Sequence, residues 1–276
     1  MKQKSKKNRL DRILIESRPD FSRNRIQAEI MAGNVFVNGI PVDKPGMPVD
    51  ITSEIMIRET ENPYVSRGGL KLEGALNDFS LNVTSLSILD VGASTGGFTD
   101  CLLQKGAKEI FALDVGYGQL AYNLRVDPRV KVFERTNIRY VEPGDLPDKI
   151  DLAVVDVSFI SLRKVLPVFH RLSISTVLAL IKPQFEVGKK DADRGGGIIR
   201  DPALHKKVIE DIISDAGKIG YCPAGITFSR HPGPKGNIEF FILLKDPGTG
   251  PCYDVEDMGK RIIETVQRAH KILMKK

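Results

Sequence analysis

The chain has 276 residues, 41% hydrophobic and 28% charged, with a formal net charge of +6. That composition belongs to a globular protein with room for one large domain and one small one. No apolar run approaches the ~18 residues of a membrane helix and no signal-peptide pattern opens the chain, so a cytoplasmic protein is expected and a membrane protein is not. Cys101, Cys222 and Cys252 stand isolated without a C-x-x-C pair, and the four histidines are scattered, which argues against a disulfide scaffold and against a metal site.

Residues 1–25 hold nine Lys/Arg against three Asp/Glu, while the rest of the chain carries equal numbers of each sign. A basic arm on a neutral body fits an anionic partner, RNA before a membrane surface; a solubilising tail is the plainer alternative. Leu10, Ile13 and Leu14 recur at helical spacing, and Arg18-Pro19 ends that helix. Ser22 caps a second helix running to Ala32, with Gly33 as its stop. Val35 to Val42 reads as a hairpin about Asn38-Gly39, and Val49 to Arg58 as the completion of one small β unit. Residues 1–60 thus form a compact α+β module.

Within that module, Ser22-Arg23-x-Arg25-Ile26-Gln27-Ala28, followed by Gly33-x-Val35-x-Val37-Asn38-Gly39, resembles the RNA-binding domain of the ribosomal protein S4 superfamily. The resemblance implies that Arg18, Arg23 and Arg25 grip an RNA backbone. Such cations neutralise phosphates and position a nucleic acid without reading its sequence. A solvated helix face is the bland alternative.

Residues 61–67 read as a linker containing Pro63, and residues 68–276 as a larger domain. A helix is expected over 68–79, then strand 86–91, helix 97–105, strand 109–114, a short helix near 118–125 and strand 130–134. The second half repeats the alternation: strand 151–156, helix 161–171, strand 176–181, helix 202–218, strands 221–229 and 238–245, and a closing helix Val255 to Leu273. This order predicts an α/β, doubly wound, seven-stranded and mostly parallel sheet, its last two strands antiparallel across a short loop.

Leu89-Asp90-Val91-Gly92-Ala93-Ser94-Thr95-Gly96-Gly97-Phe98 has the form of a strand, a tight turn and a helix start. Such a turn lets backbone approach a ligand and offers the free N–H groups of a helix N-terminus. Asp114 follows at about the 20-residue distance of an acid that grips a ribose diol. The pattern Asp90-x-Gly92-x-Ser94-x-Gly96 lacks the second glycine of the dinucleotide fingerprint and resembles the first motif of S-adenosylmethionine-dependent methyltransferases. That resemblance implies S-adenosylmethionine as cofactor, with Asp90 and the 92–97 turn at its methionine end. Asp114 and Val115 then sit at the ribose, and Asn137 or its neighbours at the adenine. Phe98 and Asp156 complete the set.

Asp156 and Lys182 end strands 151–156 and 176–181, Glu239 starts the final strand, and Lys71 comes from the helix before the first strand, all toward the cofactor edge. Charges there are costly unless paired, so an ion-pair network that merely holds the edge is the structural alternative to catalysis. Lys189 and Lys190, in the glycine-rich loop after strand 176–181, suit a phosphate-facing lid or an ordinary connection.

The whole chain is similar to the TlyA family, proteins named as haemolysins that resemble FtsJ-type ribosomal RNA 2′-O-methyltransferases. The likeness rests on Tyr64 to Leu72, Asp90 to Phe98, Asp114 to Leu120, Glu134 to Asn137, Asp156 to Ser161, Lys182 to Gly188 and Gly236 to Glu239. It implies a Lys-Asp-Lys-Glu tetrad at Lys71, Asp156, Lys182 and Glu239. It further implies a cytidine ribose as substrate, in ribosomal RNA or a ribosomal subunit, without a metal. Two roles fit Lys182: taking the hydroxyl proton, or remaining charged to steady the developing alkoxide. Base methylation is the first rival, but Asp156-Val157-Ser158-Phe159 lacks the prolines of amino-methylases. A lytic or purely RNA-binding protein is the second.

Overall fold

A computed structural model of the chain describes residues 7–274 apart from 20, 22, 32, 58–61, 148 and 189–194, and only the backbone of residues 24, 25 and 28. The residues group into two compact units that divide between Asn62 and Pro63.

The first unit runs β1 (Lys7–Arg9), α1 (Leu10–Ser17), α2 (Arg23–Met31), β2 (Val35–Val37), β3 (Ile40–Val42), β4 (Pro48–Asp50) and β5 (Ile55–Ile57). Leu10, Leu14, Ile26, Ile30, Val35 and Val42 form its small core. The hairpin turns at Asn38 and Gly39, with φ of 50° and 78°, the two left-handed residues that a tight hairpin turn requires. The expected single β unit is instead two sheets. β5 joins the β2–β3 hairpin, whereas β4 pairs with β1. Lys7-Asn8-Arg9 has no apolar alternation to announce a strand; the chain holds it through Arg9, whose guanidinium donates to both oxygens of buried Asp11 at 2.9 and 2.7 Å.

The second unit contains α3 (Arg67–Asp78), β6 (Ser87–Val91), α4 (Gly97–Gln104), β7 (Glu109–Leu113), α5 (Tyr122–Arg125), β8 (Val130–Phe133) and β9 (Leu152–Val155). It continues with α6 (Leu166–Arg171), β10 (Thr176–Ile181), α7 (Pro183–Glu186), α8 (Pro202–Lys218), β11 (Cys222–Phe228), β12 (Phe240–Lys245) and α9 (Val255–Leu273). The sheet order is β11-β12-β10-β9-β6-β7-β8, with β12 alone antiparallel to its neighbours. Period-two alternation explains its two covers. Ile88, Ile110, Leu152 and Leu178 face α3 and α4; Leu89, Phe111, Ala153 and Val177 face α6, α8 and α9. Strand order reverses between β6 and β9, the switch point at which open α/β sheets bind ligands.

Three expectations are corrected. The helix expected over 161–171 is a 3₁₀ turn, Leu162–Lys164, followed by α6, because Pro167 brings no N–H to a continuous helix. The helix near 118–125 shrinks to Tyr122–Arg125, since Gly116 and Gly118 donate backbone N–H groups to Asp114 and Glu134 instead. Cys222 and Cys252 are not isolated: they are bonded to each other with Cα atoms 5.8 Å apart.

Candidate active site

β6 ends at Val91, and Gly92 turns the chain with φ of 85°. A Cβ at Gly92 would strike the carbonyl of Asp156 on the neighbouring strand end, so only glycine lets the two strand ends close up. Beside this turn lies a cavity of about 510 Å³ walled by Gly92, Ser94, Asp114, Val115, Asn137 and Asp156, among others. Asp114 is held rigidly there: Ser94 N donates to its Oδ2 at 2.8 Å and Gly116 N to its Oδ1 at 2.7 Å. Asn137 Oδ1 accepts from Arg139 N at 3.1 Å, capping a 3₁₀ turn at the cavity wall.

Two candidates, Asp90 and Phe98, are buried, although Phe98 still borders the second cavity described below. Asp90 has no accessible surface and sits beneath the turn, its Oδ2 accepting from Thr99 Oγ1 at 2.6 Å and its Oδ1 left without a partner. Burial, together with the negative charges of Asp156 and Asp114, raises its carboxyl to about 7. Phe98 turns its ring into the core, 6.1 Å from Phe241. The sequence pattern marks the turn but not the direction in which side chains beneath it point.

A second cavity of about 390 Å³ adjoins the first and shares Gly92, Ser94 and Asp156 with it; Thr95, Gly97, Lys71 and Lys182 also line it. The four tetrad candidates come together here as two ion pairs. Lys71 Nζ lies 2.6 Å from Glu239 Oε2, with side chains 11% and 0% exposed. Lys182 Nζ lies 2.5 Å from Asp156 Oδ1 and donates to Ser158 Oγ at 2.9 Å. Each buried charge therefore has its counter-charge, as burial demands. His231 is held below its ordinary value by burial first, then by Lys71, Arg67 and Arg230.

Residue types alone did not reveal the supporting groups. Gly233 leaves the space that the Glu239 carboxylate fills, for a Cβ there would collide with it. Gln184 Nε2 reaches Glu239 Oε1 at 3.5 Å. Asn237 fixes the glycine-rich turn, accepting from Ile199 N at 3.0 Å and donating to the Gly197 carbonyl at 2.9 Å. The signal for Gln184 and Asn237 lay in the Lys182–Gly188 and Gly236–Glu239 blocks; Gly233 stands outside both.

In the first unit, Arg23 is exposed on α2, and the Arg18 guanidinium lies 4.1 Å from the Phe21 ring centre. The side chain of Arg25, and Lys189 and Lys190 entirely, lie outside the described residues. Among the described residues, no group of His, Cys, Asp and Glu could hold a metal ion, and no helix is long and apolar enough to cross a membrane.

Residues 64–246 match the FtsJ-like methyltransferase family and residues 8–55 the S4 domain. The chain is 43% identical to the 16S/23S rRNA (cytidine-2′-O)-methyltransferase TlyA of Mycobacterium tuberculosis over 87% of this chain and 91% of that one. It is also 43% identical to Hemolysin A of Brachyspira hyodysenteriae, over 84% of this chain and 97% of that one. Among solved structures, a protein provisionally named a hemolysin from Streptococcus thermophilus matches with a TM-score of 0.77 at 41% identity, covering 99% and 98% of the two chains.

Proposed function

Because the chain belongs to the FtsJ-like methyltransferase family, in its TlyA branch with an N-terminal S4 domain, we propose that it methylates the ribose 2′-hydroxyl of a cytidine in ribosomal RNA, using S-adenosylmethionine. The observation that carries this reading is the pair of ion-paired lysines, Lys71–Glu239 and Lys182–Asp156, lining a cavity that opens beside the glycine turn. The residues of the larger cavity suit the cofactor. Asp114 presents a fixed carboxylate for a ribose diol, Val115 and Asn137 line the same cavity where adenine would lie, and the Gly92 turn leaves room for the methionine end. Asp90 shapes the floor beneath the turn, its carboxyl hydrogen-bonded to Thr99. When bound, the sulfonium supplies an electrophilic methyl group.

The chain's own part is to prepare the oxygen. A neutral ribose hydroxyl is a poor nucleophile, and negative charge grows on it as its proton passes to solvent while the new O–C bond forms. Lys182, oriented by Asp156 and Ser158, donates to that oxygen where water is scarce and the interaction is strong. Lys71, fixed by Glu239, adds a second cation along the same wall. The S4 domain and exposed Arg23 support RNA as the substrate, in free ribosomal RNA or in a subunit. The amino-methylase alternative finds no support in Asp156-Val157-Ser158-Phe159, which offers no proline-framed amide to a base.

Lys182→Ala tests the assignment. Methyl transfer should fall by about 100-fold or more, as for a lost oxyanion donor, while calorimetric affinity for S-adenosylmethionine stays within about threefold, because the lysine acts in the transition state rather than on the cofactor. A variant that keeps most of its turnover removes Lys182 from the mechanism.

A further inference from the structure

The short helix α7 joins two parts of the proposed site. Lys182 precedes it, and Glu186 ends it. Glu186 Oε2 accepts from Ser161 Oγ at 2.6 Å and Oε1 from Leu162 N at 2.8 Å. Both donors belong to the loop that leaves β9, the same loop that carries Asp156 and Ser158 to Lys182. Through this one carboxylate, the two ends of the Lys182 contact are closed into a ring.

The loop needs such a restraint. Phe159 has φ of 62°, a left-handed conformation that is costly for a bulky residue and persists only where the surroundings over-determine it. Its ring is 90% exposed, so burial does not hold it there. What touches it is Phe185, at 4.9 Å between ring centres, and Phe185 lies on α7. The turn after it does not depend on Glu186 to form, because Ser161 caps it with its own side chain, accepting from Arg163 N at 3.2 Å. Glu186 therefore does something other than terminate a turn. It ties that turn to α7, and it does so as a largely buried carboxyl pushed up by burial and pulled back by these two donors.

We propose that Glu186 is a positioning residue for methyl transfer, holding the 156–162 loop so that Asp156 and Ser158 meet Lys182. The same loop supplies Val157, Ser158 and Phe159 to the wall of the larger cavity. The inference rests on the reading of Lys182 above, and its test separates the two. Full-length protein is assayed with S-adenosylmethionine and ribosomal subunits from cells lacking the protein, comparing Glu186→Ala, Glu186→Gln, Ser158→Ala and the Glu186→Ala/Ser158→Ala double variant, with Lys182→Ala as control.

Glutamine can still accept from Leu162 N and can offer its own N–H to Ser161 Oγ, so Glu186→Gln should keep kcat within about threefold. Glu186→Ala should lower kcat about 10- to 100-fold, the scale of a small misplacement of a reacting group. If Glu186 acts through the loop, the double variant loses less than the product of the two single losses. A purely structural role lowers the melting temperature but leaves the Ser158 coupling at zero. Wild-type kcat in Glu186→Ala, or losses that simply multiply, overturns the proposal. Where Glu186→Ala is too unstable to purify, Glu186→Asp, which draws the carboxylate back from both donors and leaves the Ser161 cap in place, completes the same cycle and is read in the same way. An active Lys182→Ala defeats the chemical reading itself; an inactive Lys182→Ala beside a fully active Glu186→Ala defeats only the positioning role.

Discussion

Among the described residues of the N-terminal unit, Lys7, Arg12, Arg23 and Lys44 stand in solvent, and Arg9, although gripped by Asp11, keeps 52% of its side chain accessible. In the methyltransferase unit, Lys71 and Lys182 each keep only 11%, and each faces a carboxylate within hydrogen-bonding distance. Exposed charges act over roughly the 8–10 Å Debye length of physiological salt and are weakened by it. Buried ones act over a few ångströms, are little screened, and are tolerable only with a partner. The first arrangement suits a phosphate backbone met at many points; the second suits a single oxygen held in one place. On the function proposed above, the same residue types would serve attraction in one unit and chemistry in the other.

The contrast breaks most visibly at Lys71. Lys71→Ala leaves Glu239, with no accessible surface, as an uncompensated buried charge, and should destabilise the methyltransferase unit by about 3–5 kcal/mol. Denaturant titration monitored within that unit checks this. The Lys71→Met/Glu239→Gln pair, which removes both charges at similar volume, should recover most of that stability and none of the methyl transfer. Recovery of activity with stability would make the pair a structural strut.

A smaller effect sharpens the other side. Arg23→Ala should leave the unfolding transition unmoved. It should reduce the slope of log K against log salt for RNA binding by about 0.7, which amounts to about fivefold in affinity at 0.1 M salt relative to 1 M. An unchanged slope in filter-binding titrations would show that Arg23 meets no phosphate.

The sheet and its covers were legible because burial on one or two faces imposes a period. The expected Val255 to Leu273 helix matches α9 end to end, and 176–181 matches β10. The antiparallel last strand followed from a loop too short for a crossover. What stayed hidden lacks such a period. β1 is three polar residues whose partner, β4, lies about forty residues away. The bond between Cys222 and Cys252 spans 30 residues and depends on where β11 and the α9 approach meet. In the site, the types and order of Lys71, Asp156, Lys182 and Glu239 were readable, but their division into two pairs was not, since pairing is set by side-chain direction across a closed edge. Asp90 shows the limit: its place at the strand end was visible, its burial against Thr99 was not.

The central claim is that the methyl group lands on a ribose oxygen under the control of Lys182. Ribosomal RNA from cells lacking the protein, incubated with the protein and methyl-labelled S-adenosylmethionine, can be hydrolysed in alkali and its nucleosides separated. A 2′-O-methyl removes the internal nucleophile that cleaves RNA in alkali. Label should therefore appear in an alkali-resistant dinucleotide that yields 2′-O-methylcytidine, present with the wild-type chain and absent with Lys182→Ala. Label recovered on a base, or undiminished in the Lys182→Ala reaction, would contradict it.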